Sequence, residues 1–230
     1  MEAARAVLET VLSQSPDNAM ALAMMASTTL VPLFAGYASV DQSEVSQATT
    51  FADKAVGLDA NNDFIFQTRG MVRCMLLKDF AGAASDFKRS LEINPNFLVT
   101  RFSLASLSIY SGDPKAAINP LRELLDVSPE DPLIPMVYTL LSAACLLADD
   151  DKLALQYARQ AHDRAPLMPT CAAIYAAAAA QDREIVGSKA FSSMISRFDL
   201  RTTDLEKLPF VRRDDIELFR SRLRIAGARE

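Results

Sequence analysis

The chain has 230 residues, of which 50% are hydrophobic and only 7 are glycine, and it carries a formal net charge of −5. Alanine runs such as residues 176–180 favour helix, because alanine is the best helix former. Residues 1–60 contain Arg5 and Lys54 against seven acidic residues, a difference of −5, and the remainder balances. The composition predicts an all-helical protein and excludes the basic footprint of a segment that binds nucleic acid.

The first predicted helix covers residues 2–15 and ends before Pro16. Its pattern is that of the second helix of a hairpin, and no first helix precedes it. We therefore expect a fragment of a longer protein, with Met1 added to it, and an open N-terminal end. A cationic start followed by a short apolar run is missing, so a signal peptide is not predicted. The apolar side chains expected to be partly exposed at the open end are Val7, Leu8 and Val11.

The segment from Ala19 to Val40 contains no charged residue over 22 residues, which is long enough to span a bilayer. Pro32 and Gly36 interrupt the run, and no Lys or Arg flanks it closely. A buried first helix is therefore favoured over a membrane span. An insertion is predicted around residues 32–42, and Asp41 to Leu58 supplies the second helix.

Five residues, here called the mark residues, follow the predicted ends of second helices: Pro16, Ala60, Pro95, Pro129 and Pro166. They are separated by 44, 35, 34 and 37 residues. Twelve residues before each mark residue lies a small one: Ala4, Ala48, Ala83, Ala117 and Ala154. Further small or apolar residues follow four and seven positions later: Leu8 and Val11, Ala52 and Ala55, Phe87 and Ser90, Leu121 and Leu124, Ala158 and Ala161. One face of each second helix is thus suited to close packing.

A period near 34 residues with this pattern resembles the tetratricopeptide repeat, a helical hairpin that stacks on its neighbours. The resemblance implies an all-α fold, a right-handed α-solenoid of such hairpins with a C-terminal capping helix. We assign residues 1–200 to the array and residues 201–230 to a turn and the capping helix. The later hairpins are predicted at 64–77 with 79–93, 97–110 with 114–127, 132–148 with 152–164, and 169–180 with 183–197.

The residue types that carry catalysis do not form a recognisable constellation. The only histidine, His162, has no paired Cys or spaced carboxylate, so a surface or half-buried side chain is favoured over a ligand or base. Three aspartates at residues 149–151 lack the spacing of a calcium loop and predict a turn that caps the helix from Lys152. We predict a protein without enzymatic activity, metal or cofactor. Buried, reduced thiols are expected at all three cysteines: Cys74, Cys145 and Cys171.

Partner recognition is expected on the inner surface, which first helices form in such arrays. We predict twelve exposed groove residues there: Ile65, Thr68, Arg69, Val72, Val99, Phe102, Ser103, Ser106, Tyr110, Met136, Thr139 and Leu140. Phe102 and Tyr110 would be aromatic anchors for an apolar segment, and Arg69 would add one charge-assisted contact. The Lys, Asn and Arg clamp of chaperone-binding arrays is absent. An open alternative is that these residues are the packed interior of a tight superhelix.

Residues 212–226 predict an amphipathic closing helix. Its apolar stripe holds Ile216, Phe219, Leu223 and Ala226, and its solvent side holds Arg213, Asp214, Glu217, Arg220 and Arg224. The segment 208–227 also resembles the closing segment of tetratricopeptide regions in proteobacterial class III adenylate cyclases and related winged-helix regulators. The residues that carry this resemblance are Leu208, Pro209, Phe210, Asp215, Leu218, Leu223, Arg224, Ala226 and Gly227.

The sequence therefore predicts a non-catalytic, cytoplasmic interaction module that is the regulatory region of a larger bacterial signalling protein. The alternative is a free-standing adaptor that binds an apolar peptide or helix of a secretion or assembly partner. In either case the partner is a protein or peptide, including an upstream domain of the same chain. A homodimer through the open N-terminal end is a further option, and neither nucleic acid nor membrane is an expected partner.

Overall fold

The structure, a computed structural model, describes residues 2–31, 33, 40–205 and 208–230. Over these ranges it consists of helices and their connections, with one isolated bridge between Arg201 and Arg229 and no β-strand. The chain divides into two compact units, unit 1 with residues 1–107 and unit 2 with residues 108–230. The expected all-α fold, a solenoid of paired helices, is confirmed.

Unit 1 is built from consecutive helical hairpins. Its helices are α1 (Glu2–Gln14), α2 (Ala19–Thr28), α3 (Gln42–Leu58), α4 (Asp63–Val72) and α5 (Phe80–Ile93), and α6 (Leu98–Tyr110) begins in it. A π-helical turn, Arg73–Leu77, extends α4. Helix α2 packs on α3, α4 packs on α5, and α4 also packs on α2 and α3. Each hairpin therefore covers its neighbour, as in a repeat array.

Unit 2 continues the alternation and then departs from it. Its helices are α7 (Pro114–Val127), α8 (Ile134–Leu147), α9 (Asp151–Arg164), α10 (Pro169–Ala179), α11 (Arg183–Val186), α12 (Lys189–Phe198) and α13 (Arg213–Ile225). Helix α8 packs on α7 and α9, and α10 packs on both α8 and α9. Helices α12 and α13 both pack on α10, so α10 is covered from two directions.

The core of the hairpins follows the small-residue register. Second helices end at Gln14, Leu58, Ile93, Val127 and Arg164, two residues before each mark residue. Ala48, Ala83, Ala117 and Ala154 are at most 1% exposed. A methyl side chain at these positions lets the two helices of a hairpin approach closely. Only Ala4 of α1, in the same register, is exposed.

A left-handed residue and an aspartate connect the first and second helices of three hairpins. The left-handed residues are Lys78, Gly112 and Asp149, with φ of 53°, 96° and 63°. The aspartates Asp79, Asp113 and Asp150 each accept a hydrogen bond from a backbone N–H of the next helix, at 2.9, 3.2 and 3.0 Å. This satisfies a donor that the helix itself leaves unpaired. The capping expected from residues 149–151 is therefore confirmed.

Two predicted helices differ from the observed ones. Helix α2 ends at Thr28, and most of the predicted insertion, residues 32 and 34–39, lies outside the described residues. The predicted helix 183–197 is divided, because Ser188 leaves the helical conformation and its hydroxyl accepts the Phe191 N–H at 3.2 Å, which starts α12. In the part of the chain that the structure describes, no helix has the length and hydropathy of a membrane span.

Candidate partner-binding surfaces

The predicted groove residues of unit 1 are mostly covered. Six of them are buried: Ile65, Thr68, Val72, Phe102, Ser103 and Ser106. Ser103 donates to the Val99 carbonyl at 2.8 Å and accepts from Gln67 Nε2 at 3.1 Å, which ties α6 to α4. Ser106 donates to the Phe102 carbonyl at 2.9 Å. These hydroxyls are therefore used inside the array, where their small size lets first helices approach one another.

The predicted groove residues of unit 2 show the same burial. Tyr110, Thr139 and Leu140 are buried, and Met136 is half-buried. The Thr139 hydroxyl donates to the Pro135 carbonyl at 2.8 Å and lies 3.3 Å from the Cys171 sulfur. The expected exposure is thus wrong for nine of the twelve residues, and Val99, Arg69 and Met136 keep accessible surface. Packing against neighbouring elements, including Phe210 on Tyr110, accounts for this burial, and a partner groove stays a prediction.

Arg69 is committed to an ion-pair network in unit 1. Its Nε and Nη2 donate to the Asp86 carboxylate at 3.0 and 2.6 Å, and Arg73 Nη1 donates to the same carboxylate at 2.9 Å. Burial lowers the pKa of Arg69, and its bonds to Asp86 and Asp53 outweigh this and raise it. Arg69 and Arg73 lie one helical turn apart, so both guanidinium groups reach the same carboxylate on α5. The guanidinium is therefore not free for a partner carboxylate.

An exposed apolar surface lies at α1 and α2 of unit 1. Met24, Thr68 and Ser103 each lie eight residues after a mark residue, in first helices that begin at the same register. Thr68 and Ser103 are 2% and 1% exposed, whereas Met24 is 43% exposed. We define the open face as Ala4 and Val7 of α1 with Met20 and Met24 of α2, all of which are exposed.

The two helices of the open face are held together beneath it. Helix α1 packs on α2, and Leu8, Ala21 and Met25 form a buried cluster between them. Of the three α1 residues expected to be partly exposed, Val7 is exposed, Val11 is half-buried and Leu8 is buried. The open face is thus a supported apolar surface rather than a frayed helix end.

Residues 1–60, which include the open face, carry a negative net charge, and their two cations are already paired. Arg5 donates to Gln47 at 2.6 Å and lies 3.8 Å from Glu9. Lys54 donates to the Pro16 carbonyl at 3.0 Å and pairs with Asp17 at 2.8 Å. Seven acidic residues against these two cations leave residues 1–60 at −5. The region therefore favours a partner of positive charge.

In unit 2 the C-terminal segment covers a predicted anchor. We call residues 208–230 the C-terminal strap. The Phe210 ring packs edge-on against Tyr110 with centroids 5.3 Å apart, and the Val211 N–H donates to the Tyr110 carbonyl at 3.0 Å. In the strap, Phe219, Leu223 and Ala226 are buried as predicted, and Ile216 of the same stripe is half-buried. Burial of two charged residues, Asp215 and Arg222, was not predicted.

Comparison with solved structures identifies the fold. The chain is similar to a tetratricopeptide repeat protein from Parabacteroides merdae, with a TM-score of 0.62 and 14% identity over 97% of this chain and 76% of that one. The chain has the tetratricopeptide-repeat (TPR) fold. No protein-family model and no curated protein matches it.

Two weaker structural matches accompany the TPR fold. MamA protein gives a TM-score of 0.49 and 16% identity over 70% of this chain and 81% of that one. YrrB, a TPR protein with an unusual peptide-binding site, gives a TM-score of 0.48 and 14% identity over 92% of this chain and 95% of that one. None of these three structures is described as an adenylate cyclase or a winged-helix regulator.

Reactive side chains in this TPR fold are used for packing. His162 stacks on Tyr175 with centroids 5.2 Å apart, and burial lowers the pKa of His162 against the opposing effect of Asp163. All three cysteines are buried and free, as expected. Burial raises the pKa of Cys74 to about 12 and of Cys145 to about 11, so neither is a reactive thiolate at neutral pH. Among the described residues, no cluster of metal-ligating side chains is present.

Proposed function

We propose that the chain is a non-catalytic, protein-binding TPR module whose partner docks on the open face. The observation that carries this proposal is the exposure of Met24 in a register where Thr68 and Ser103 are buried. In a repeat array that position packs against the preceding first helix. A helix supplied by a partner would cover it in the same way.

The partner that fits is an amphipathic helix with an apolar stripe and basic flanks. Methionine side chains adapt to varied apolar surfaces, which suits Met20 and Met24 to helix binding. The acidic surroundings favour Lys or Arg beside the stripe. A second copy of the chain would instead place two regions of charge −5 against each other, so a homodimer is disfavoured.

The wider role proposed is regulation within a larger bacterial signalling protein. It is supported by the resemblance of residues 208–227 to the closing segment of cyclase and winged-helix regulator arrays. An in-frame cyclase or winged-helix domain upstream would support this role. The free-standing adaptor uses the same open face, and a start codon at Met1 would support it. Peptide binding by the predicted groove residues stays a separate proposal, for which Val99 is accessible in unit 1 and Met136 is half-buried in unit 2.

A designed peptide tests the partner chemistry. The probe is a labelled helical peptide with a leucine stripe flanked by lysines, and its control has glutamates in place of the lysines. We expect Met24→Glu to weaken binding of the lysine peptide about tenfold or more, because a charge replaces an apolar contact. Val127→Glu is the matched control, since Val127 is also exposed but lies in unit 2.

Fluorescence polarisation and sedimentation separate the outcomes. Equal binding of both peptides, or equal binding by wild type and Met24→Glu, would contradict the proposal. Concentration-dependent dimerisation that Met24→Glu abolishes would assign the open face to a second copy instead.

A further inference from the structure

The C-terminal strap contacts the array at turns of successive hairpins. Phe210 and Val211 lie against Tyr110, at the end of α6. Next to this contact, the Arg212 side chain passes so close to Gly112 that a Cβ there would lie 2.9 Å from Arg212 Cδ. The strap therefore begins on the turn between α6 and α7, at a position predicted to anchor a partner.

Helix α13 of the strap then reaches the later hairpins. Arg222 Nη2 donates to Asp151 Oδ1 at 2.7 Å, at the first residue of α9. With the Gln181 amide oriented so that its oxygen faces the guanidinium, that oxygen also accepts from Arg222 at 3.3 Å. The 13 residues of α13 span about 20 Å at 1.5 Å per residue. This length suits a helix that crosses several hairpins rather than one that only closes the last.

The strap contains polar groups that a purely structural cap would avoid. Asp215 is 5% exposed, and its Oδ2 has no hydrogen-bond partner among the described residues. Arg222 is 8% exposed, with Asp151 as its ion-pair partner. Burying a carboxylate oxygen without a hydrogen bond costs free energy, and the Arg222 ion pair, whose Asp151 side chain is 43% exposed, does little to offset that cost. The strap is thus docked through specific contacts at a cost in stability.

We propose that the C-terminal strap is an internal ligand of unit 2, held on a helix-binding surface formed by Tyr110, Asp151 and Gln181. An external helix with the same pattern, phenylalanines that fit beside Tyr110 and an arginine that pairs with Asp151, competes for this surface. The proposal concerns unit 2 and does not depend on the open face of unit 1.

The test uses a labelled peptide of residues 208–230 and the full chain. We expect the peptide to bind the Arg222→Ala chain about tenfold or more tightly than the wild type, because a weakened strap vacates the surface more often. Arg224→Ala is the matched control, since Arg224 lies on the same helix but is exposed and pairs with Glu230. It should bind the peptide as weakly as the wild type does.

A charge exchange tests the recognition itself. The chain with Arg222→Ala and Asp151→Arg should reject the natural peptide and bind a peptide carrying Arg222→Glu. Circular dichroism checks that each variant is folded. Equal peptide affinity for wild type and a folded Arg222→Ala chain would overturn the proposal. Loss of helicity on Arg222→Ala would overturn it as well, because the strap would then be part of the fold rather than a displaceable ligand.

Discussion

Asp215 illustrates how a single buried side chain affects the docking of α13. It is the third residue of that helix, where a negative charge is favourable, yet its side chain is almost fully covered. Burial raises the pKa of Asp215, Arg212 opposes the shift, and Asp214 adds to it. The Asp215 carboxyl group therefore holds its proton more tightly in the folded protein than in the unfolded chain.

The raised pKa of Asp215 gives a pH-dependent prediction. A carboxyl pKa that is raised on folding lowers the free energy of unfolding above that pKa, and the loss is recovered as the pH falls through it. Asp215→Asn should therefore melt above the wild type at pH 7, and the difference should shrink toward pH 4. Calorimetry of both proteins between pH 7 and pH 4 measures this difference in melting temperature. A difference that is constant with pH, or of opposite sign at pH 7, would contradict the assigned environment.

Individual residues also mark the limit of what the sequence predicts. The burial of Asp215 and Arg222 was missed because both are charged, although their spacing from Phe219, by four and three residues, places them beside the apolar stripe. Arg69 was assigned to a partner because its carboxylate, Asp86, lies in the next helix and no local spacing connects them. Tyr110 was predicted to be exposed, but Phe210, a hundred residues further along the chain, packs against it.

At the scale of the helices, the mark residues were sufficient to locate five helix ends. Four of the mark residues are proline, which cannot continue a helix and disfavours it in the residue before, so these four helix ends are encoded locally. The predicted helix 183–197 is divided at Gly187, the C-cap of α11, and Ser188, the N-cap of α12. The division was missed because both residues were assigned to the interior of one helix. Groove exposure could not be predicted, since it depends on how closely neighbouring first helices approach.

The register of the second helices can be tested by overpacking. Ala117→Leu should lower the free energy of unfolding by about 1 to 3 kcal/mol, because Ala117 is fully buried between two helices. Ala116→Leu is the matched control, since Ala116 is the adjacent residue and exposed. Urea unfolding of both variants compares them. Equal stability of the two variants would show that the register is displaced.

At the scale of the molecule, the two units present their interaction surfaces differently. Unit 1 leaves the open face exposed, within a segment, residues 1–60, of net charge −5. Unit 2 covers Tyr110 with its own C-terminal strap. Under the two proposals, the open face takes a basic helix directly, whereas a helix that binds unit 2 must first displace the strap. The TPR fold supplies the frame for both, and their chemistry comes from particular side chains.

Methionine oxidation by dilute peroxide, with and without the lysine peptide, tests whether the partner binds at the open face. Oxidation follows exposure, and Met24 and Met25 are adjacent residues that are 43% and 3% exposed. We predict that Met24 oxidises about tenfold faster than Met25 in the free chain, resolved by fragment-ion mass spectrometry. Bound peptide should slow Met24 and leave Met136 unchanged. Equal slow oxidation of Met24 and Met25 in the free chain, or peptide binding that leaves Met24 unprotected, would contradict the account.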